Sequence, residues 1–298
     1  MFHNDAGTWE QIAILTASDA DQGDFFGSSM NSAGDYIIIG AEGNDDNGVQ
    51  SGSAYIFQNN AGIWTETAKL LASDGDENDF FGIAVDIFGD HAIVGADESA
   101  NSSGANSGTA YVFHNNSGNW EQTQKIVSSD AVVGDHFGSS VSISGDHIAV
   151  GADYKSESET WEGAAYIFKN ISGTWEQQQK LNDSNPGSQK HYGSSIYISG
   201  DTLIIGAEGN ISFSPFVNGS AYDFKNNLGN WEEQAIIQAS DIGLKDQFGY
   251  VVDFSSNFAF VGSPRSDTDY EDGGAVYVFE IIFTNIITQP VSYDNINL

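Results

Sequence analysis

A repeat of roughly 55 residues runs through almost the whole chain and limits the fold more than any other feature. A tryptophan recurs at intervals of 55 or 56 residues, and Phe-Gly (once Tyr-Gly), Gly-Ala (once Gly-Ser) and Tyr-x-Phe recur in phase with it. The tryptophans are Trp9, Trp64, Trp120, Trp175 and Trp231. Five units in one register predict a repeat architecture, in which each unit packs on its neighbours.

One unit reads as four strands. In residues 137–144 larger side chains alternate with Gly and Ser, which is the period of a strand. Residues 147–152 (HIAVGA) and 163–168 (GAAYIF) are apolar on both faces and are therefore predicted to be buried strands. Residues 174–181 (TWEQQQKL) alternate again, as expected for a solvent-facing edge strand.

Radial packing of such sheets predicts an all-β protein, a β-propeller of five four-stranded blades over residues 1–281. No sustained 3.6-residue periodicity favours a helical solenoid. The chain opens on a lone fourth strand, TWEQIAILTA, and residues 248–279 lack one, so we expect the N-terminal strand to complete the last blade. The alternative is that the five units belong to a larger ring. Residues 282–298 leave the repeat, either as a tail or as the start of a following, immunoglobulin-like module.

The shared pattern resembles the FG-GAP repeats of bacteria, which are related to the blades of the integrin α-subunit propeller. It reads Trp-x(5)-Leu-x(2)-Ser-Asp-x(4)-Asp-x-Phe-Gly-x-Ser-x(6)-Gly-Asp-x(4)-Gly-Ala and covers residues 8–281. The resemblance implies an extracellular adhesion or ligand-binding module, often calcium-dependent. The integrin calcium loop between the first two strands does not carry over, because Ser-Gly-Asp at 144–146 is too short to surround a calcium ion.

The charge of the chain limits its partners. Forty-two acidic residues against nine basic ones give a net charge of −33, and the basic residues are scattered. Nucleic acid and anionic membrane surfaces are therefore excluded as expected partners. No cysteine is present for a disulfide or thiolate site, and no apolar run is long enough to insert into a membrane. The start of the chain carries no signal peptide, so we expect part of a longer multidomain chain, located outside the cell or at its surface.

The loops that precede first strands carry paired aspartates, and these are candidate Ca²⁺ ligands because calcium prefers hard oxygen donors. Together with the loops between second and third strands they make one face of the disc acidic. The candidates are Asp19, Asp21, Asp24, Asp74, Asp76, Asp79, Asp130, Asp135, Asp241 and Asp246. The alternative is that each aspartate caps a turn by accepting backbone N–H groups. In the fourth unit Asn185 and Lys190 break the pattern.

Aromatic residues outside the repeat pattern are candidate ligand contacts. Trp161, Phe213 and Phe216 lie in loops of the acidic face, where no packing rule demands an aromatic. The repeated tryptophans are instead expected to pack between strands or blades.

The sequence offers little for catalysis. It contains no nucleophile elbow, phosphate loop or His-x(3)-His spacing, and its first strands are expected to point repeated Ser and Gly into the central channel. We therefore expect a non-catalytic, extracellular binding or adhesion propeller that recognises a protein or glycan at a cell surface through the acidic face. The alternatives are a lectin-like propeller, a glycoside hydrolase and a structural spacer.

Overall fold

The computed structural model describes residues 2–5, 7–209, 217–255, 257–267, 272–282 and 285–286. Within these residues the chain folds into strands and turns without a helix, so no helix there has the length and apolarity to cross a membrane. The strands form five antiparallel sheets of four strands each, preceded by a two-stranded hairpin. The prediction of an all-β, five-bladed propeller is confirmed.

The strands of each blade follow one another along the chain. Blade 1 contains β3 (Met30–Ala33), β4 (Tyr36–Ala41), β5 (Ser53–Asn60) and β6 (Ile63–Leu70). Blade 2 contains β7 (Val85–Phe88), β8 (His91–Ala96), β9 (Thr109–Asn116) and β10 (Asn119–Ile126). Blade 3 contains β11 (Phe137–Ser144), β12 (His147–Ala152), β13 (Ala164–Ile171) and β14 (Thr174–Leu181). Blade 4 contains β15 (Tyr192–Ser199), β16 (Thr202–Ala207), β17 (Ser220–Asn227) and β18 (Asn230–Ile237). Blade 5 contains β19 (Val251–Ser255), β20 (Phe258–Ser263), β21 (Ala275–Ile282) and β22 (Asn285–Ile286).

The Phe-Gly motif joins neighbouring blades. Gly52, just before β5, forms a parallel bridge with Phe81 of the next blade, and the same bridge recurs at the next two interfaces. Gly52 has a φ of +83°, and a Cβ atom there would lie 2.0 Å from the Phe81 carbonyl oxygen. Only glycine allows this approach. Phe81 itself is fully buried and packs edge-on against Tyr111 at 5.4 Å, which explains why Phe-Gly and Tyr-x-Phe recur together.

Three of the five repeated tryptophans pack between blades, as predicted, whereas Trp9 is 67% exposed. Trp120 lies 5.8 Å from Tyr36 of the preceding blade, and Trp175 and Trp231 contact His91 and His147 in the same way. These three tryptophans are almost completely buried. They attach the outer edge of one blade to the second strand of the blade before it.

The N-terminal strand forms a hairpin with the residues just before it. Thr8–Gln11 (β2) pairs with Phe2–Asp5 (β1), while Asn285–Ile286 (β22) is the described strand that pairs with the outer side of β21. Completion of the last blade by the N-terminal strand therefore stays a prediction, and so does the identity of the tail, of which only residues 282 and 285–286 are described.

The first and last blades each expose one face that is covered elsewhere. Met30 of β3 is 74% exposed, whereas Val85, at the same position in blade 2, is 6% exposed. Val276 of β21 is 68% exposed, whereas the corresponding Ala54 is fully buried. An open cavity of about 640 Å³ lies on the first of these faces, lined by Met30, Phe26 and other apolar residues.

Candidate functional site

In blades 3 and 4, the histidine that precedes the first strand lies beside the acidic residue that follows the second strand. In blade 3, Phe137 is paired with Ala152, which brings the preceding His136 beside Asp153. The residue before each Phe-Gly has a positive φ in all five blades; these residues are Phe25, Phe80, His136, His191 and Gln247. Bulky residues adopt this conformation rarely, so the surrounding structure must hold it in place. This position turns a side chain outward onto the loop face.

Blades 2, 3 and 4 together form a compact group on this face, which we call the loop-face cluster. It consists of Asp97, His136, Asp153, Tyr154, Trp161, His191 and Glu208. Its side chains come from the two sets of loops that the sequence placed on one face. They are half-buried or, for His191, buried.

His136 lies between carboxylates of two blades. Its Nδ1 is 3.6 Å from an oxygen of Asp97 in blade 2, and its ring stands 4.7 Å from that of Tyr154. Burial by itself lowers the pKa of His136, but the nearby carboxylates, Asp97 foremost and Asp153 after it, raise it above the ordinary value for histidine. The imidazolium form is therefore favoured at this position.

His191 and Asp153 leave polar atoms without a partner. His191 Nδ1 lies 3.8 Å from an oxygen of Asp153, which is too far for a hydrogen bond. Within the described part of the chain, this nitrogen and Asp153 Oδ1 are buried and accept or donate no hydrogen bond. Leaving such a group unsatisfied costs roughly 1–3 kcal/mol, which a bound polar group would recover.

Two aromatic rings stand beside these unpartnered atoms. Tyr154 lies 4.8 Å from His191 and 5.4 Å from Trp161, and Trp161 lies 6.2 Å from His191. Trp161 has a φ of +51° and is half-buried. Of the three predicted ligand-contacting aromatics, Trp161 thus joins the cluster, while Phe213 and Phe216 lie outside the described residues. Its role in binding stays a prediction.

Acidic residues extend the cluster on both sides. Burial raises the pKa of Glu208, and the charge of Asp153 adds to this rise while His191 opposes it. Gln247 of blade 5 donates a hydrogen bond of 3.0 Å to Glu208. On the blade 1 side, burial and the charge of Asp97 both raise the pKa of Glu42. The charges of Asp97 and Asp153 thus disfavour ionisation of Glu42 and Glu208, respectively.

In the first three units, the first aspartate of the predicted metal pair contacts a tyrosine and a lysine. Asp130 Oδ1 accepts a hydrogen bond of 2.8 Å from Tyr166, and Oδ2 lies 2.6 Å from Lys180. Although burial raises its pKa, these partners hold the pKa of Asp130 down to about 2. Asp19 and Asp74 make the corresponding contacts with Tyr55 and Lys69 and with Tyr111 and Lys125.

The second aspartate of each pair caps a turn. Asp24, Asp79, Asp135 and Asp246 each accept the backbone N–H of the residue three positions earlier, at 2.8 Å. Those N–H groups belong to Asp21, Asp76, Val132 and Gly243. Asp246 differs from the others because its Oδ1 is buried and has no hydrogen-bond partner within the described residues. The turn-cap interpretation accounts for these contacts, and the assignment of the ten aspartates as calcium ligands stays a prediction.

The central channel carries residues that sequence reasoning missed. A cavity of about 230 Å³ is lined by the first strands of blades 1 to 4. Asn31, Asp86 and Tyr197 share one repeat position and line the cavity together with Ser32, Ser144 and Ser199. The expectation of repeated Ser and Gly in the channel is therefore met only in part. The sequence indicated these channel residues, because the residue at this position differs from unit to unit. Positions that pack between strands or blades keep the same residue type.

Comparison with known proteins identifies the repeat. A family model of the FG-GAP repeat matches residues 9–57, 64–113, 120–168, 175–224 and 231–279, which together make up most of the chain. No curated protein matches the chain.

Proposed function

Because the chain belongs to the FG-GAP repeat family, whose propellers are typically non-catalytic and of a binding or adhesion type, we propose that it binds a partner outside the cell through the loop-face cluster. The observation that carries this proposal is the pair of buried, unpartnered atoms, Asp153 Oδ1 and His191 Nδ1. They lie at the junction of blades 3 and 4, where loops can differ without disturbing the packing of the sheets.

The chemistry of the cluster favours a cationic group as its ligand. The charges of Asp153, Glu208 and Asp97 act on Tyr154, and the Trp161 ring lies 5.4 Å from the Tyr154 ring. A lysine or arginine side chain would gain both ion pairing and cation–π attraction there. The net charge of −33 would steer a basic protein surface toward this face, most strongly at low ionic strength. The proposed partner is thus a basic protein segment displayed at a cell surface.

A glycan is the second candidate, because the rings of Trp161 and Tyr154 lie beside buried polar atoms that have no hydrogen-bond partner within the described residues. Sugars stack on such rings and hydrogen-bond to carboxylates. Neutral sugars would bind with little dependence on salt, whereas a basic peptide would bind with a strong one. The two candidates therefore differ in a measurable property.

Binding of a fluorescent hexalysine peptide, compared with an array of neutral glycans, tests the proposal. We expect peptide binding that weakens steeply with salt and drops at least about tenfold in Asp153→Asn and Trp161→Ala. Asp35→Asn is the matched control, because it removes the same charge from an exposed hairpin turn at the opposite end of the strands. Equal loss of peptide binding in Asp35→Asn and Asp153→Asn would show that binding depends on the overall charge of the chain and not on the loop-face cluster. Glycan binding lost in Trp161→Ala would establish the second candidate instead.

Calcium remains a proposed cofactor, and the contacts of the predicted aspartates guide our choice of a loop for it. Lys69, Lys125 and Lys180 neutralise the loops of three blades. The loop of blade 5 contains Asp241 and Asp246, and Asp246 Oδ1 is buried and has no hydrogen-bond partner within the described residues. A hard cation would satisfy that oxygen. We therefore propose calcium at this loop first.

A further inference from the structure

A group of metal-ligating side chains lies on blade 2, at the opposite end of the strands from the loop-face cluster. Asp90 occupies the turn between β7 and β8, and His91 begins β8. His114 of β9 is directly opposite His91 in the antiparallel ladder. The ligand atoms of these three residues all lie within 4.8 Å of one another, and no other such group occurs in the described residues.

The contacts within this group already resemble a partly formed coordination sphere. Asp90 Oδ1 lies 2.6 Å from His91 Nδ1, and Asp90 Oδ2 lies 3.1 Å from His114 Nε2. The carboxylate thus lies between nitrogens of two imidazole rings. A metal ion with bond lengths near 2.0–2.2 Å would fit among these three side chains after small side-chain rotations.

We propose that Asp90, His91 and His114 bind a divalent transition-metal ion such as Zn²⁺. Two imidazole nitrogens and one carboxylate oxygen suit zinc, copper or nickel better than calcium, which prefers oxygen alone. The three protein ligands leave a fourth position for water or for a group on a partner. Asp90 is well exposed, so the ion can enter from solvent.

The neighbouring blade holds a restraint on the first histidine. The indole of Trp175 from blade 3 stands edge-on to the His91 ring, at 5.8 Å, and the His114 ring lies 4.9 Å from His91 on another side. Rings held by packing need lose little rotamer entropy on binding. The site is therefore formed before the metal arrives.

Blade 3 provides the matched case in which ion pairing alone is present. There Asp146 lies 2.8 Å from His147 and 3.6 Å from Lys169, which stands where blade 2 has His114. A lysine thus suffices to pair with the turn aspartate at this position of the repeat. His114 of blade 2 is therefore not needed for ion pairing with the turn aspartate, but its imidazole nitrogen can bind a metal ion, which a lysine cannot do in its charged form.

Titration of the whole chain with Zn²⁺ by calorimetry at pH 7.5, with the melting temperature recorded in parallel, tests the site. We expect one tight site that raises the melting temperature, and at least about tenfold weaker affinity in both His114→Lys and Asp90→Asn. His114→Lys reproduces the residues of blade 3, so it should fold and keep its ion pair. Affinity should also fall at pH 5.5, because protonated imidazoles cannot bind metal.

The control is His147→Ala, which removes a histidine from blade 3 and should leave zinc binding unchanged. Absence of zinc binding to the unaltered chain overturns the proposal. So does binding that survives His114→Lys with the same affinity, since it would place the ion at other histidines such as those of the loop-face cluster.

Discussion

Ser142 of blade 3 donates a hydrogen bond of 2.9 Å to Oδ2 of Asp86 in blade 2, deep within the central channel. The same oxygen accepts the backbone N–H of Ile143 at 2.7 Å, and the Ser142 hydroxyl accepts the N–H of Ile198 in blade 4 at 3.1 Å. Three blades are thus joined by one polar chain. Burial raises the pKa of Asp86 to about 6 despite these hydrogen bonds, which favour its charged form.

Substitution of Asp86 by Asn should change how stability depends on pH. The folded-state pKa of Asp86 lies above its unfolded value near 3.8, so between these two pH values the folded state binds more protons than the unfolded state. The stability that protonated Asp86 contributes is therefore present at low pH and is lost as pH rises through about 6. Asn stays neutral and can still accept the Ser142 hydrogen bond.

Urea unfolding from pH 4.5 to 7.5 checks this expectation. Asp86→Asn should gain stability relative to the unaltered chain as pH rises, by on the order of 2–3 kcal/mol over the full titration. Asp253→Asn serves as the control, because Asp253 is exposed. A stability difference between Asp86→Asn and the unaltered chain that stays constant with pH would contradict the burial of a titrating carboxyl.

Replacement of His136 by Phe, the residue at this position in blades 1 and 2, should remove a second pH effect. Burial lowers the pKa of His136, but Asp97 and Asp153 raise it more, so its net shift is upward. The stability it contributes is fully present below its unfolded pKa near 6.5 and is lost as pH rises through the higher folded value. The difference in unfolding free energy between His136→Phe and the unaltered chain should shrink over that range. An unchanged difference from pH 6 to 8.5 would show that the carboxylates do not favour the imidazolium.

The repeat allowed the strands within a blade to be predicted from the sequence. It did not predict which loop side chains meet between one blade and the next. The pattern of 137–144, 147–152 and 174–181 predicted β11, β12 and β14 to the residue, because period-two alternation and glycine turns are local signals. The contact between His136 and Asp97 spans two blades and depends on the rotation from one to the next, which no local pattern encodes. His136 breaks the repeat where Phe25 and Phe80 keep it, and this difference was the available signal.

The uncovered face of the first blade can be tested by thiol labelling, because the chain contains no cysteine. Met30→Cys should react with a thiol reagent at least about tenfold faster than Val85→Cys, its buried equivalent in blade 2. Slow labelling at both positions would mean that another surface, such as the N-terminal strand with the last blade, covers Met30 in solution. That outcome would favour the ring closure predicted from the sequence.

Calcium binding at the loop of blade 5 should stabilise the chain in a way that depends on Asp246. A native-state site at about 100 times its dissociation constant adds roughly 2.7 kcal/mol, which raises the melting temperature by several degrees. We expect this rise in millimolar Ca²⁺ over chelator, with a much smaller rise in Mg²⁺, because magnesium demands a tighter octahedral site. Asp246→Asn should abolish the calcium-specific part, while Asp79→Asn should retain it, because the blade 2 loop is already neutralised by Lys125. Equal shifts with both ions would reduce the effect to charge screening, and no shift would leave all four second aspartates as turn caps.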